Sequence, residues 1–158
     1  MNINNEVKAL VTKLEQHPRK LNCIFNNSIF EEIFPTKTLM DVFGEELCIE
    51  VSKLKGEVVS DRVNSEHDYI SDKKGKVEVK GVQVSSTGKI MANQIRPLKD
   101  FDTLMIVGVT ANSVKIYECA KADISSLPFL KTNNGNCIQD FFKVEKSDKF
   151  TLIAEATL

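Results

Sequence analysis

The stretch HDYISDKKGKVEVK, residues 67–80, decides how the centre of the chain folds. It holds two segments of alternating, β-branched character around a polar turn, a pattern typical of a β-hairpin. A three-residue hairpin loop requires one residue in the left-handed conformation, which glycine adopts without strain. We therefore predict a loop at Lys73-Lys74-Gly75, with Asp72 opposite Lys76.

This register brings three charged side chains to one face of the hairpin. Asp68 pairs with Lys80, and because side chains alternate along a strand, Asp68, Glu78 and Lys80 point the same way. Opposed Cβ atoms lie about 5 Å apart and diagonal ones about 7–8 Å, a separation at which two carboxylates can share a divalent ion. Asp72 lies about 13 Å along the strand from Asp68, so we exclude it from the site.

Two carboxylates and an ammonium on a half-buried face require compensation, because charges removed from water must be paired. Oxygen ligands suit Mg²⁺, which keeps several waters and accepts a phosphate oxygen. Such an ion would activate a bound water and polarise a phosphodiester, while Lys80 would stabilise the developing charge or orient or deprotonate that water. The cluster therefore predicts phosphodiester hydrolysis. The alternative is an exposed strand edge, with Asp68 and Lys80 as a cross-strand ion pair worth about 0.2–1 kcal/mol.

The segments around the hairpin predict an α/β fold with a central mixed sheet of four to five strands flanked by helices. Apolar residues at helical spacing indicate helices over residues 3–16 and 38–54, with Thr36 or Thr38 as the N-cap of the second. A short helical piece is expected over residues 28–34. β-Branched runs predict strands, which lie at residues 57–63, 67–71, 76–86, 103–110, 113–120 and 149–156.

The composition describes a globular chain of single-domain size. It has 158 residues, of which 42% are hydrophobic and 27% charged. No run approaches the roughly 20 apolar residues of a membrane span, and the N-terminus lacks the plan of a secretory signal. We therefore expect a cytoplasmic protein with no membrane partner.

The cysteines are scattered and form no C-x-x-C pair, and only His17 and His67 are available to complete a zinc site. We expect no zinc and no disulfide framework, so the cysteines are predicted to be free thiols, most of them in the core. They are Cys23, Cys48, Cys119 and Cys137.

Charge is unevenly distributed although the formal net charge is only −1. Residues 31–50 are rich in Asp and Glu, whereas residues 73–99 are rich in Lys. One interpretation is two solvated faces. The other is an acidic, metal-collecting region beside a basic region that faces phosphates.

The order helix, strand, Asp-bearing strand, hairpin and VEVK strand resembles the core of the PD-(D/E)xK nucleases, the restriction-endonuclease-like superfamily. Asp68, Glu78 and Lys80 match the three motif positions, while His67 stands where the signature has proline. The resemblance covers residues 38–110. It implies a restriction-endonuclease-like α/β core, Mg²⁺ dependence, cleavage of double-stranded DNA, often by a homodimer, and a metal contact from the backbone carbonyl of Val79.

The resemblance also implies a Glu from the preceding helix near the metal, for which we select Glu50, with Glu46 as the alternative. A polar stretch after the VEVK strand holds residue types that contact phosphates or base edges, although an ordered surface loop accounts for it comparably well. The candidate DNA-binding residues are Gln83, Ser85, Ser86, Lys89, Asn93, Gln94 and Arg96.

We expect one nuclease domain over residues 1–158, with an N-terminal helical segment (1–36), a catalytic core (38–110) and a C-terminal strand and tail (111–158). The leading hypothesis is a type II restriction endonuclease, an endodeoxyribonuclease acting as a homodimer. A junction-resolving or repair nuclease would favour a more basic surface than this chain has. A non-catalytic module that binds DNA or protein is the alternative from another class.

Overall fold

Two helices form where the apolar spacing predicts them. Helix α1 spans Asn4–Glu15 and helix α2 spans Lys37–Leu54, each within one residue of the predicted bounds. The chain leaves α2 at Gly56, whose φ of 71° is left-handed and typical of a residue that ends a helix. No helix in the described part of the chain is both long and apolar enough to cross a membrane.

The computed structural model describes most of the chain, in nine ranges: residues 1–15, 29–30, 37–60, 66–84, 95–96, 98–124, 129–131, 137–139 and 148–158. The helical piece predicted over residues 28–34 and the N-cap candidate Thr36 fall largely outside these ranges. Thr38, the other N-cap candidate, lies within α2 rather than before it.

A five-stranded mixed sheet confirms the predicted α/β class. Its five strands are β1 (Tyr69–Ser71), β2 (Gly75–Gln83), β3 (Thr103–Thr110), β4 (Ser113–Ala120) and β7 (Thr151–Thr157). Between β4 and β7 the described residues hold the short helix α3 (Lys121–Ile124) and the antiparallel pair β5 (Phe129–Lys131) and β6 (Cys137–Gln139). The order of the five-stranded sheet is β1-β2-β3-β4-β7, where β2 and β3 are parallel and the other neighbours are antiparallel.

The hairpin that joins β1 and β2 differs from the predicted register. Ser71 pairs with Gly75 and Ile70 with Lys76, so the loop is Asp72-Lys73-Lys74 and the predicted pairing of Asp72 with Lys76 is wrong. Gly75 does take the left-handed conformation, with φ of 69°.

Ser71 explains this shift. Its hydroxyl accepts hydrogen bonds from the amides of Lys73 and Lys74 at 3.2 and 3.3 Å, an arrangement in which a serine begins a turn. Asp72 instead turns outward, and its carboxylate accepts a hydrogen bond from the amide of Val58 at 3.0 Å. The segment predicted as a strand over residues 57–63 appears as one antiparallel bridge, between Val59 and Ser71, while residues 61–65 lie outside the described part.

The two faces of the sheet have different coverings. Val77 and Val79 of β2 pack with the buried residues of α1 and α2, which form the larger core. Val82 belongs to a second cluster on the other face, with Phe101 and the apolar residues of β3 and β4 that alternate with those of the first. Strand alternation therefore turns Glu78 and Lys80 away from α2.

Cysteines lie in both cores, as predicted from the sequence. Cys48 in the α2 core and Cys119 in the second core are buried free thiols. Burial raises the pKa of the Cys119 thiol to about 11, which is typical of an unreactive cysteine. The side chains of Cys23 and Cys137 lie outside those described.

Helix α2 lies against β2 through two glycines. A Cβ at Gly44 would be 3.3 Å from the Cα of Gly81, and a Cβ at Gly81 would overlap the carbonyl oxygen of Met40. The helix backbone therefore rests almost directly on the strand that carries Glu78 and Lys80.

We predict that Gly81→Ala lowers the free energy of unfolding by about 1–3 kcal/mol, because the added methyl must displace the backbone of α2. Gly44→Ala is the matched control. Its methyl meets a looser contact, and alanine is favoured over glycine in a helix by about 1 kcal/mol, so its stability should stay near that of the parent. Urea denaturation measures both, and equal effects of the two variants would contradict the assigned packing.

Candidate functional site

Glu78 is a buried carboxylate held by two lysines. It is 1% exposed, and its Oε1 accepts a hydrogen bond from Lys80 Nζ at 2.5 Å. Lys99 Nζ donates to both carboxylate oxygens, at 3.1 and 3.0 Å. A buried charge requires such partners, since its removal from water is otherwise strongly unfavourable.

Asp68 lies one residue before β1, at the edge of β2. Its Oδ2 accepts a hydrogen bond from the Val79 amide at 2.6 Å. Burial raises the pKa of the Asp68 carboxyl, and the negative charge of Glu78 raises it further, against the opposing effects of the Val79 amide, Lys80 and Lys99. Asp68 is therefore close enough to Glu78 for the two charges to repel each other.

The backbone carbonyl of Val79 lies on the edge of β2 that also faces Asp68. In a strand, the N–H and C=O of one residue lie on the same edge. Since the Val79 amide donates to Asp68, its carbonyl oxygen is directed to that edge as well. The carboxylates of Asp68 and Glu78 and this carbonyl form a set of oxygen donors of the kind that Mg²⁺ prefers.

The structure therefore brings together Asp68, Glu78, Lys80 and Val79 but leaves Glu50 apart. Glu50 lies on α2, which covers the opposite face of the sheet, and it pairs with Lys53 at 3.0 Å with half of its side chain exposed. Glu46 pairs with Lys13 of α1 at 3.1 Å. Among the described residues, no group of three or more His, Cys, Asp or Glu is arranged to hold a metal.

A different α2 carboxylate, that of Glu45, shares a face of the helix with Cys48 and Ser52. It is one turn before Cys48, whose thiol pKa is raised first by burial and then by Asp68, with Glu45 also contributing. Ser52, one turn further along, contacts the Tyr69 hydroxyl at 3.2 Å.

Lys99 is the site residue that sequence reasoning missed entirely. It stands in an irregular segment before β3, and nothing in the local pattern marks it among the other lysines of residues 73–99. Its contact with Glu78 arises because β3 pairs in parallel with β2, which returns the chain to the same end of the sheet.

The candidate DNA-binding residues are only partly described. Gln83 and Arg96 are exposed, whereas the others lie outside the described residues: Ser85, Ser86, Lys89, Asn93 and Gln94. The excluded Asp72 is exposed, and its carboxylate accepts a hydrogen bond from the amide of Val58.

Comparison of the chain with protein-family models and with curated proteins finds no match. The geometry of the site is therefore the basis for a proposal of function.

We predict that Asp68→Asn stabilises the protein at neutral pH. A carboxyl whose folded-state pKa is raised contributes stability at low pH, below its unfolded pKa of about 3.9, and that contribution is lost as pH rises through the folded-state pKa. The substituted amide carries no charge, and its oxygen can still accept from Val79. In urea denaturation, the free energy of unfolding of Asp68→Asn should exceed that of the parent at pH 7, and this difference should shrink toward pH 4.

Asp72→Asn is the control, because it removes one charge from the same hairpin at an exposed position away from Glu78. It should show no comparable gain. An Asp68→Asn variant less stable than the parent at pH 7 would mean that the Asp68 charge is needed by the fold rather than tolerated by it.

Proposed function

We propose that this protein is a Mg²⁺-dependent endonuclease that hydrolyses phosphodiester bonds in double-stranded DNA. The observation that carries the proposal is the juxtaposition of two carboxylates: half-buried Asp68, which accepts from the amide of Val79, and buried Glu78, the residue before Val79, which is bonded to Lys80. Such buried charges contribute little to the stability of a fold, since their replacement by apolar residues is often neutral or stabilising.

The charges of the cluster suit a cation and a phosphate together. Asp68 and Glu78 contribute two negative charges, and Lys80 and Lys99 two positive ones. A divalent cation would add two further positive charges, which a phosphodiester and an attacking hydroxide would offset.

Asp68, Glu78 and the Val79 carbonyl are the groups that would hold the ion. Mg²⁺ at such a site supplies an activated water and polarises the scissile phosphate. Lys80, 21% exposed along its side chain, can reach from Glu78 toward a bound phosphate. There its ammonium would stabilise the charge on the phosphate or orient the attacking water.

The arrangement of strands supports the resemblance to the PD-(D/E)xK nucleases. The Asp-bearing segment and the Glu-x-Lys strand are antiparallel neighbours, they follow a long helix, and β3 extends the sheet in parallel. We propose a type II restriction endonuclease acting as a homodimer, as the resemblance of residues 38–110 to one such core implies.

A non-catalytic module is the second candidate, and one observation favours it. Glu78 already has two ammonium partners, so the cluster is close to neutral without a metal. Such a closed ion-pair network would persist in a protein that only binds DNA or another protein. Catalysis separates the two candidates.

We predict that the purified protein cuts plasmid or phage DNA with Mg²⁺ and not with EDTA. Asp68→Asn, Glu78→Gln and Lys80→Met should each lower the cleavage rate by about 100-fold or more, since each removes a metal ligand or the charge on the phosphate. Asp72→Asn should cut at the parent rate. Gel electrophoresis of timed samples measures all four.

The products also distinguish the kinds of nuclease. Discrete fragments support a restriction endonuclease, and cleavage confined to branched DNA supports a junction-resolving enzyme. Complete absence of Mg²⁺-dependent cutting by the folded parent on linear, supercoiled and branched DNA would favour the non-catalytic module.

A further inference from the structure

Lys99 is attached to Glu78 in a way that Lys80 is not. Lys80 shares a strand with Glu78 and meets one carboxylate oxygen, whereas Lys99 approaches from the segment before β3 and donates to both oxygens. Its side chain is 18% exposed, so its ammonium lies at the boundary between Glu78 and solvent.

The backbone around Lys99 is built to hold this position. Its amide donates to the carbonyl of Arg96 at 2.9 Å, and its carbonyl accepts from the amide of Phe101 at 3.1 Å and from Lys121 Nζ at 2.5 Å. The ammonium of Lys121 also lies 4.7 Å from the centre of the Phe101 ring. The segment is irregular but anchored on both sides of Lys99, and its long side chain is the part able to move.

Lys99 therefore occupies the carboxylate oxygens of Glu78 that the proposed cation would need as ligands. Both oxygens of Glu78 are bonded to Lys99, and one of them is also bonded to Lys80. A ligand oxygen that already accepts two ammonium hydrogen bonds has little capacity left for a metal ion. Glu78 Oε2 accepts from Lys99 alone, so movement of the Lys99 ammonium frees Oε2 fully and leaves Oε1 with a single partner.

We propose that Lys99 is the displaceable counter-ion of Glu78: it holds the carboxylate in place before a divalent cation binds and gives up that contact on binding. This proposal rests on the proposed function. Once displaced, the Lys99 ammonium lies at the rim of the site, where a second positive charge can bind a phosphate oxygen of the substrate. Lys99 is thus a positioning residue for Glu78 and a competitor of the metal.

The test measures cation affinity without DNA. Mn²⁺ alone is titrated into the full chain, and free Mn²⁺ is followed by electron paramagnetic resonance. Lys99→Met should lower the Kd for Mn²⁺ about ten-fold, because the cation no longer has to displace an ammonium. Lys76→Met is the matched control, since Lys76 is a lysine paired with the exposed carboxylate of Asp100, outside the cluster. It should change the Kd less than about two-fold.

Lys99→Arg keeps a positively charged side chain at the position. It provides a second variant in case Lys99→Met fails to fold. A guanidinium binds a carboxylate through two parallel hydrogen bonds, so this variant should bind Mn²⁺ as weakly as the parent or more weakly.

The outcomes separate the two proposals. If the parent binds Mn²⁺ and Lys99→Met binds it equally or less tightly, the counter-ion role of Lys99 is wrong and the nuclease proposal remains. If the parent, Lys99→Met and Lys99→Arg all fail to bind Mn²⁺ at millimolar concentration, both proposals fail.

Discussion

The site depends on the electrostatic compensation of Glu78, a carboxylate with 1% of its surface exposed. An uncompensated charge at that depth would be strongly destabilising. The ammonium groups of Lys80 and Lys99 supply the compensation, one from the same strand and one from the segment before the parallel neighbour. Burial and the negative charge of Glu78 raise the pKa of Asp68. The charge of Glu78 is therefore compensated, whereas the ionised form of Asp68 is disfavoured.

Strand β2 organises this arrangement because its two faces serve different purposes. One face carries Val77, Val79 and Gly81 against helix α2, with Gly81 so close to the helix that no side chain fits. The other face carries Glu78 and Lys80. The stability of the fold and the chemistry of the site therefore lie on opposite sides of one strand, and substitutions on each side can be tested separately.

Much of the fold could be predicted from local patterns. Helix α2 and strands β3 and β4 follow directly from apolar spacing, from a continuous apolar run and from alternation. The hairpin register could not, because Gly75 fits both registers and the choice depends on Ser71, whose hydroxyl accepts from the loop amides. The observed register differs from the predicted one by two positions, which preserves the alternation of side chains. Asp68, Glu78 and Lys80 therefore share one face in either register. Lys99 could not be found, because its contact with Glu78 depends on tertiary structure that no local spacing encodes. Glu50, which we selected on α2, pairs with Lys53 on the helix that covers the opposite face of the sheet, and its part in a metal site stays a prediction.

The most direct test of the account is a crystal structure of the protein grown with Mn²⁺, in which anomalous scattering locates the ion. We expect a peak about 2.1 Å from carboxylate oxygens of both Asp68 and Glu78, with the Lys99 ammonium moved off Glu78. A map without a peak at these carboxylates, with both lysines still bonded to Glu78, would contradict it and leave the cluster as an ion-pair network of the fold.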